Sequence, residues 1–188
     1  MILAFITGLT LGLSLIIAIG AQNAFVLMQG ILKNHIFFVV LFCSIADSLL
    51  IVIGVAGISI FFDKFFNEFS DIIFGISSLW LIVYGAIRFH SAIKSKSSLQ
   101  LINSKDGHLT SILIATSIFT FANPHVYLDT MILIGSASQQ FSGLNKILFA
   151  IGACLASFIW FFSLGFGAKK LIPYMKNSYS WRILDSLV

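Results

Sequence analysis

This sequence has very little charge. Only 10% of its 188 residues are Asp, Glu, Lys or Arg, with seven acidic side chains against eleven basic ones. A soluble domain carries roughly a quarter of such residues, so a soluble globular protein is excluded. None occurs between Met1 and Leu32. The apolar core of a signal peptide runs about 7–15 residues after a basic start, so the stretch is expected to be a retained membrane span instead. Cysteine is nearly absent. Cys43 and Cys154 both fall inside apolar runs, where they carry no information about redox compartment. Proline is as rare, with two residues. Pro124 stands out because it interrupts a long apolar run.

Apolar mass fills the chain instead: 59% of residues are hydrophobic and 20 are Phe, with a mean hydropathy of +1.03. The expected fold class is all-α, a polytopic membrane helical bundle. Breaking the sequence at its charges leaves apolar runs at 2–32, 36–62, 72–87, 109–141 and 147–168, each long enough or nearly long enough to cross a bilayer. At 183–188 the chain turns apolar again, and a sixth span is expected to begin there without being completed.

The net charge of +4 does not point to nucleic acid, because the basic residues sit in short gaps between apolar runs. Lys33 in the first gap, Arg88, Lys94, Lys96 and Lys105 in the third, and Lys169, Lys170, Lys176 and Arg182 in the fifth make nine of the eleven. By the positive-inside rule these gaps are cytoplasmic and the N-terminus lies outside. A cytoplasmic linker at 91–109 then separates a first three-helix half, 1–90, from a second, 110–188. The expectation is one membrane transport domain over 1–188, built as a six-span inverted repeat of three plus three helices.

Two apolar runs are interrupted in similar ways. The first contains Gly20-Ala21-Gln22-Asn23, the fourth Asn123-Pro124-His125-Val126-Tyr127-Leu128-Asp129. Pro124 has no N–H, and its ring clashes with the carbonyl of Thr120, so a helix kinks or breaks there. In lipid the freed groups must be satisfied or must line a cavity. Five of the seven acids lie in or beside gaps, leaving Asp47 and Asp129 inside the membrane. Such a carboxylate costs about 2.5–3.5 kcal/mol near a helix centre. At helical spacing Cys43, Ser44, Asp47, Ser48, Ile51 and Gly54 share one arc, so Asp47 faces the bundle. It serves either as an interhelical hydrogen-bonding group or as a substrate and proton site. His125 and Asp129, four residues apart, share a helical face. They either form a cation site tuned by the imidazole or satisfy each other across the break. Gln22, Asn23 and Asn123 are open to two roles, capping freed carbonyls or touching a substrate. Gly8 and Gly12 permit close helix packing. A small-residue face of the fifth span is expected at Gly152, Ala156, Trp160, Ser163 and Gly167. Trp160, Phe161 and Phe162 read as interfacial or lipid-facing mass.

With these residues in view the chain resembles the lysine/arginine exporter family, the LysE/ArgO type. The matching pieces are Gly8 to Gly12, Ile19-Gly20-Ala21-Gln22-Asn23-Ala24-Phe25 with Gln29-Gly30, Ile45-Ala46-Asp47-Ser48, and Asn123-Pro124-His125-Val126-Tyr127-Leu128-Asp129-Thr130 with Gly135-Ser136. The last is the most specific. The family usually has proline where this chain has Ala21, so the first break here rests on Gly20. The resemblance implies six spans and export of a basic amino acid across the bacterial cytoplasmic membrane. The candidate substrate and proton pathway comprises Gly20, Gln22, Asn23, Asp47, Asn123, Pro124, His125, Tyr127 and Asp129.

The expected activity is secondary transport of L-lysine or L-arginine outward in exchange for protons, with no enzymatic step, resident metal or cofactor. Partners are the amino acid, protons and membrane lipids, with a homo-oligomer left open. Moving a positive charge out against an inside-negative potential costs about 2.3 kcal/mol per 100 mV, and a carboxylate returning with a proton removes that penalty. A metal-ion exporter using Asp47, Asp129, His125 and Cys43 is one alternative. A membrane thiol-disulfide electron carrier is another, although Cys43 and Cys154 fall on different helical faces.

Overall fold

In hydrocarbon every backbone N–H and C=O must be paired within the chain, and the helix is the way one segment does this alone. The computed structural model describes residues 1–18, 20–58, 75, 79, 82–83, 86 and 108–171, and every regular element among them is helical. Most of the expected third span, the 91–109 linker up to residue 107, and the sixth span at 183–188 lie outside the described residues.

The first apolar run forms α1 (Ile2–Ile16) and α2 (Ala21–Leu32), which meet at an 82° bend. A tight turn follows. Lys33 and His35 both adopt the left-handed conformation, with φ of 58° and 47°, and the Lys33 N–H closes α2 by bonding the Gln29 carbonyl, a common helix ending. α3 (Ile36–Ile53) runs on into a π-helical turn, Gly54–Ile58, where Gly57 takes a φ of 99° that favours glycine. The fourth run forms α4 (Leu109–Phe121), α5 (Pro124–Tyr127), a π-helical stretch Leu128–Leu133 and α6 (Ile134–Ser138). It is bent by 63°. α7 (Gly143–Gly167) ends in a 3-10 turn, Ala168–Leu171. It starts four residues before the expected span because Lys146 bounds the apolar core without breaking the helix. Among the described residues, Ile36–Gly57 and Gly143–Lys170 are long and apolar enough to cross a membrane, and the two bent pairs make four if each counts as one span.

α1 and α7 pack at very short range. A Cβ on Gly8 would collide with the Phe149 carbonyl, and one on Gly152 with the Phe5 carbonyl, so both contacts require glycine. The buried face of α7 is Phe149, Gly152, Ala153, Ala156, Ser157, Phe161 and Gly165. This corrects the expected face: Ser163 and Gly167 are exposed, because backbone contact with α1 turns the helix toward Ala153 and Ser157. On α3 the expected arc holds. Cys43, Ser44, Asp47, Ile51 and Gly54 are buried, while Ile45 and Leu49 face outward.

Candidate functional site

The first break lies between Ile16 and Ala21. Its residue before α2, Gly20, is extended, with φ −115° and ψ −176°, and no side chain caps the helix. The far side of the break is satisfied from within α2. The Asn23 amide donates to the Ile16 and Ala18 carbonyls at 2.8 and 2.7 Å, groups at the end of α1 that would otherwise lack a partner. Its oxygen accepts from the Trp160 indole N–H at 3.2 Å. Asn23 is thus a clamp joining α1, α2 and α7. Gln22 reaches the other break, donating to the Thr120 hydroxyl at 3.2 Å.

At the second break Asn123 acts as an N-cap. Its oxygen accepts the His125 N–H at 3.1 Å, and Pro124 occupies the first helical position, where a missing N–H costs nothing and the fixed φ suits the helix. The Tyr127 hydroxyl donates to the Phe121 carbonyl at 2.9 Å, repairing the end of α4. The π-helical stretch then carries Asp129 and Thr130.

Both breaks open on one cavity of about 200 Å³. Gly20, Gln22 and Asn23 line it from the first break, Asp47 from α3, and Asn123, His125 and Asp129 from the second. Asp47 is 3% exposed, and its Oδ1 is buried without a hydrogen-bond partner. Asp129 is half-buried and His125 exposed. Asp129 lies near enough to both His125 and Asp47 for their charges to interact. Tyr127 does not line the cavity; it serves the backbone of the break. Pro124 contributes through its place in the chain.

Sequence reasoning gave four residues of this region no part in the site. Thr130 and Phe161 line the cavity, Thr120 bridges the breaks, and Trp160 anchors the clamp. The reading of Trp160 and Phe161 as lipid-facing mass is corrected: Phe161 is 1% exposed. A signal for Trp160 was present, since an indole N–H inside an apolar run needs an acceptor. Among the described residues no three His, Cys, Asp or Glu side chains gather closely enough to hold a metal ion. Cys43 and Cys154 are free thiols with different neighbours, Thr120 for one and the Ser48 carbonyl for the other.

The profile of the LysE type translocator family matches residues 13–188. YggA of Aeromonas salmonicida, named provisionally as an amino-acid transporter, is 38% identical over 181 residues, covering 96% of this chain and 87% of that protein. The arginine exporter protein ArgO of Shigella flexneri is 34% identical over 184 residues, 98% of this chain and 87% of its own. ArgO of Pectobacterium carotovorum is 32% identical over 191 residues, 100% of this chain and 92% of its own. No solved structure matches. A family match over nearly the whole sequence, joined by relatives of similar length, establishes that this chain belongs to the LysE type translocator family.

Proposed function

We propose that this protein exports a basic amino acid, L-arginine or L-lysine, across the bacterial cytoplasmic membrane in exchange for protons. The observation that carries the reading is Asp47, a carboxylate 3% exposed with one oxygen unpartnered at the wall of a cavity between two helix breaks. A buried anion with an oxygen left unpaired is strongly disfavoured, and a guanidinium or ammonium group supplies the missing charge and donors. Relatives named as arginine exporters support the same substrate class.

In the exchange, Asp47 and Asp129 hold the cationic side chain while the cavity is open to the cytoplasm. After release outside, one carboxylate takes up a proton, and the empty site returns with the same net charge as the loaded one. Proton release inside frees it for the next cation. One proton entering for each cation leaving cancels the electrical penalty of export. Counterflow of labelled arginine and lysine in proteoliposomes tests this: uptake should require internal unlabelled basic amino acid and respond to an imposed pH gradient. No counterflow with either amino acid would end the reading. The same proposal sets the chain as an inverted repeat with its N-terminus outside and the 91–109 linker cytoplasmic. A tag in that linker should react only from the cytoplasmic side, and a label from the outer side would overturn the orientation.

A further inference from the structure

We infer that the α2 N-terminus is the subsite for the α-carboxylate of the transported amino acid, so that the transporter takes whole amino acids and rejects their decarboxylated amines. The inference rests on the proposed function and deepens it. The two breaks differ in one respect that decides where an anion can go. At the second, the Asn123 side chain already occupies the helix terminus by accepting the His125 N–H. At the first, Gly20 supplies no side chain and α2 is uncapped, leaving the backbone N–H groups of its first turn without intrahelical partners.

Gly20, Ala21, Gln22 and Asn23 all line the cavity, and α2 is 12 residues long, enough to present a positive end to an anion. The second, independent sign of a ligand is Asp47. It lines the same cavity 3% exposed, with Oδ1 unpartnered, and calls for a cation. One cavity therefore has an anion-accepting pole and a cation-accepting pole. A zwitterion with a basic side chain satisfies both; a diamine satisfies one and leaves the helix end bare.

Nothing lies within 4 Å of where a Gly20 side chain would project, and its φ of −115° suits any residue. Gly20→Asp can therefore place a tethered carboxylate where the ligand's own would sit, and Gly20→Asn can cap the same groups without charge. Affinities of L-arginine, arginine methyl ester and agmatine, which lacks the carboxylate, would be measured calorimetrically on the full chain in lipid nanodiscs. The wild type should prefer arginine to agmatine and to the ester by at least tenfold. In Gly20→Asp the arginine affinity should fall at least tenfold while agmatine binds as well as before or better. Gly20→Asn should weaken arginine without strengthening agmatine. Equal binding of arginine and agmatine to the wild type overturns this inference while leaving a cation site intact. A preference that survives in both variants overturns it too, placing the carboxylate elsewhere. If the variants do not fold, the wild-type comparison of arginine with its ester decides alone. No binding of any of the three to the wild type would sink the proposed function, and the carboxylate subsite with it.

Discussion

The two helix breaks face the same cavity, but side chains act on one side of the first and on both sides of the second. Interrupting a helix in the membrane frees carbonyls on one side and N–H groups on the other. At the first break the Asn23 side chain takes two carbonyls of the α1 end, and the α2 N–H groups are left without a side-chain cap. At the second, Tyr127 takes a carbonyl of the α4 end and Asn123 caps the following N–H, so both sides are closed. On the inferred carboxylate subsite, the first break is the one that receives the ligand. The second is a self-contained joint that delivers a carboxylate, Asp129, one turn further on. Gln22 bonded to Thr120 ties the two together, so the cavity wall is a single unit.

The largest expected effect comes from removing the charges between the breaks. Asn preserves the size and most of the hydrogen bonding of Asp. Asp47→Asn and Asp129→Asn should each leave a folded, inserted protein whose arginine or lysine export falls at least about thirtyfold, the lower end expected when one partner of a buried charge pair is removed. The response to a pH gradient should disappear with the rate, because in the proposed exchange an acidic exterior drives export only through a carboxylate that titrates in the cycle. Export at normal rates with unchanged pH response in both variants would reduce these acids to structural glue.

Next comes the joint at Pro124. Pro124→Ala restores an N–H at the first position of α5 and removes the clash that keeps the backbone from continuing α4. Export should drop severalfold or more while expression and insertion hold, since the proline's effect on the unfolded chain is only about 0.4–1 kcal/mol. Normal export would show that Asn123 alone maintains the break.

Much of this contrast was legible in the sequence. The shortage of charge marked the membrane segments, Pro124 marked one break, and the helical spacing of Cys43, Ser44, Asp47 and Ile51 put Asp47 inside. The rest depended on partners distant in the chain. Asn23 finds Trp160 across 137 positions, and Gln22 finds Thr120 across 98. No local pattern distinguishes a capping amide from one bridging two helices. Trp160 was misread because an aromatic in an apolar run looks the same whether it meets lipid or a clamp. The packed face of α7 was displaced for a related reason: it is set by the glycine contacts of α1, not by its own periodicity.

The amides sharpen the comparison at a smaller scale, because Asn23 and Asn123 are the same residue type doing different work. Asn23→Ala leaves two carbonyls at the end of α1 without partners and should destabilise the protein by about 2–3 kcal/mol. Asn123→Ala removes a single N-cap and should cost about 1 kcal/mol. Thermal unfolding midpoints in detergent would rank them. If the Asn123 variant proves the less stable, the second break, not the first, depends more on its side chain.

The smallest effect tests whether the clamp is anchored to α7. Trp160→Phe keeps most of the ring and removes one N–H donor, so the expected loss is about 0.5–1.5 kcal/mol, the usual net worth of a neutral hydrogen bond. Packing loss alone could give a similar figure, and the two causes separate only in combination. In the Asn23→Ala background the acceptor is already gone, so a hydrogen-bonding indole should have nothing further to lose and Trp160→Phe should become nearly neutral. If the substitution costs the same in both backgrounds, the indole acts through packing alone. The Asn23 clamp would then hold α1 to α2 without reference to α7, and the first break could move independently of the helix that lines the other side of the cavity.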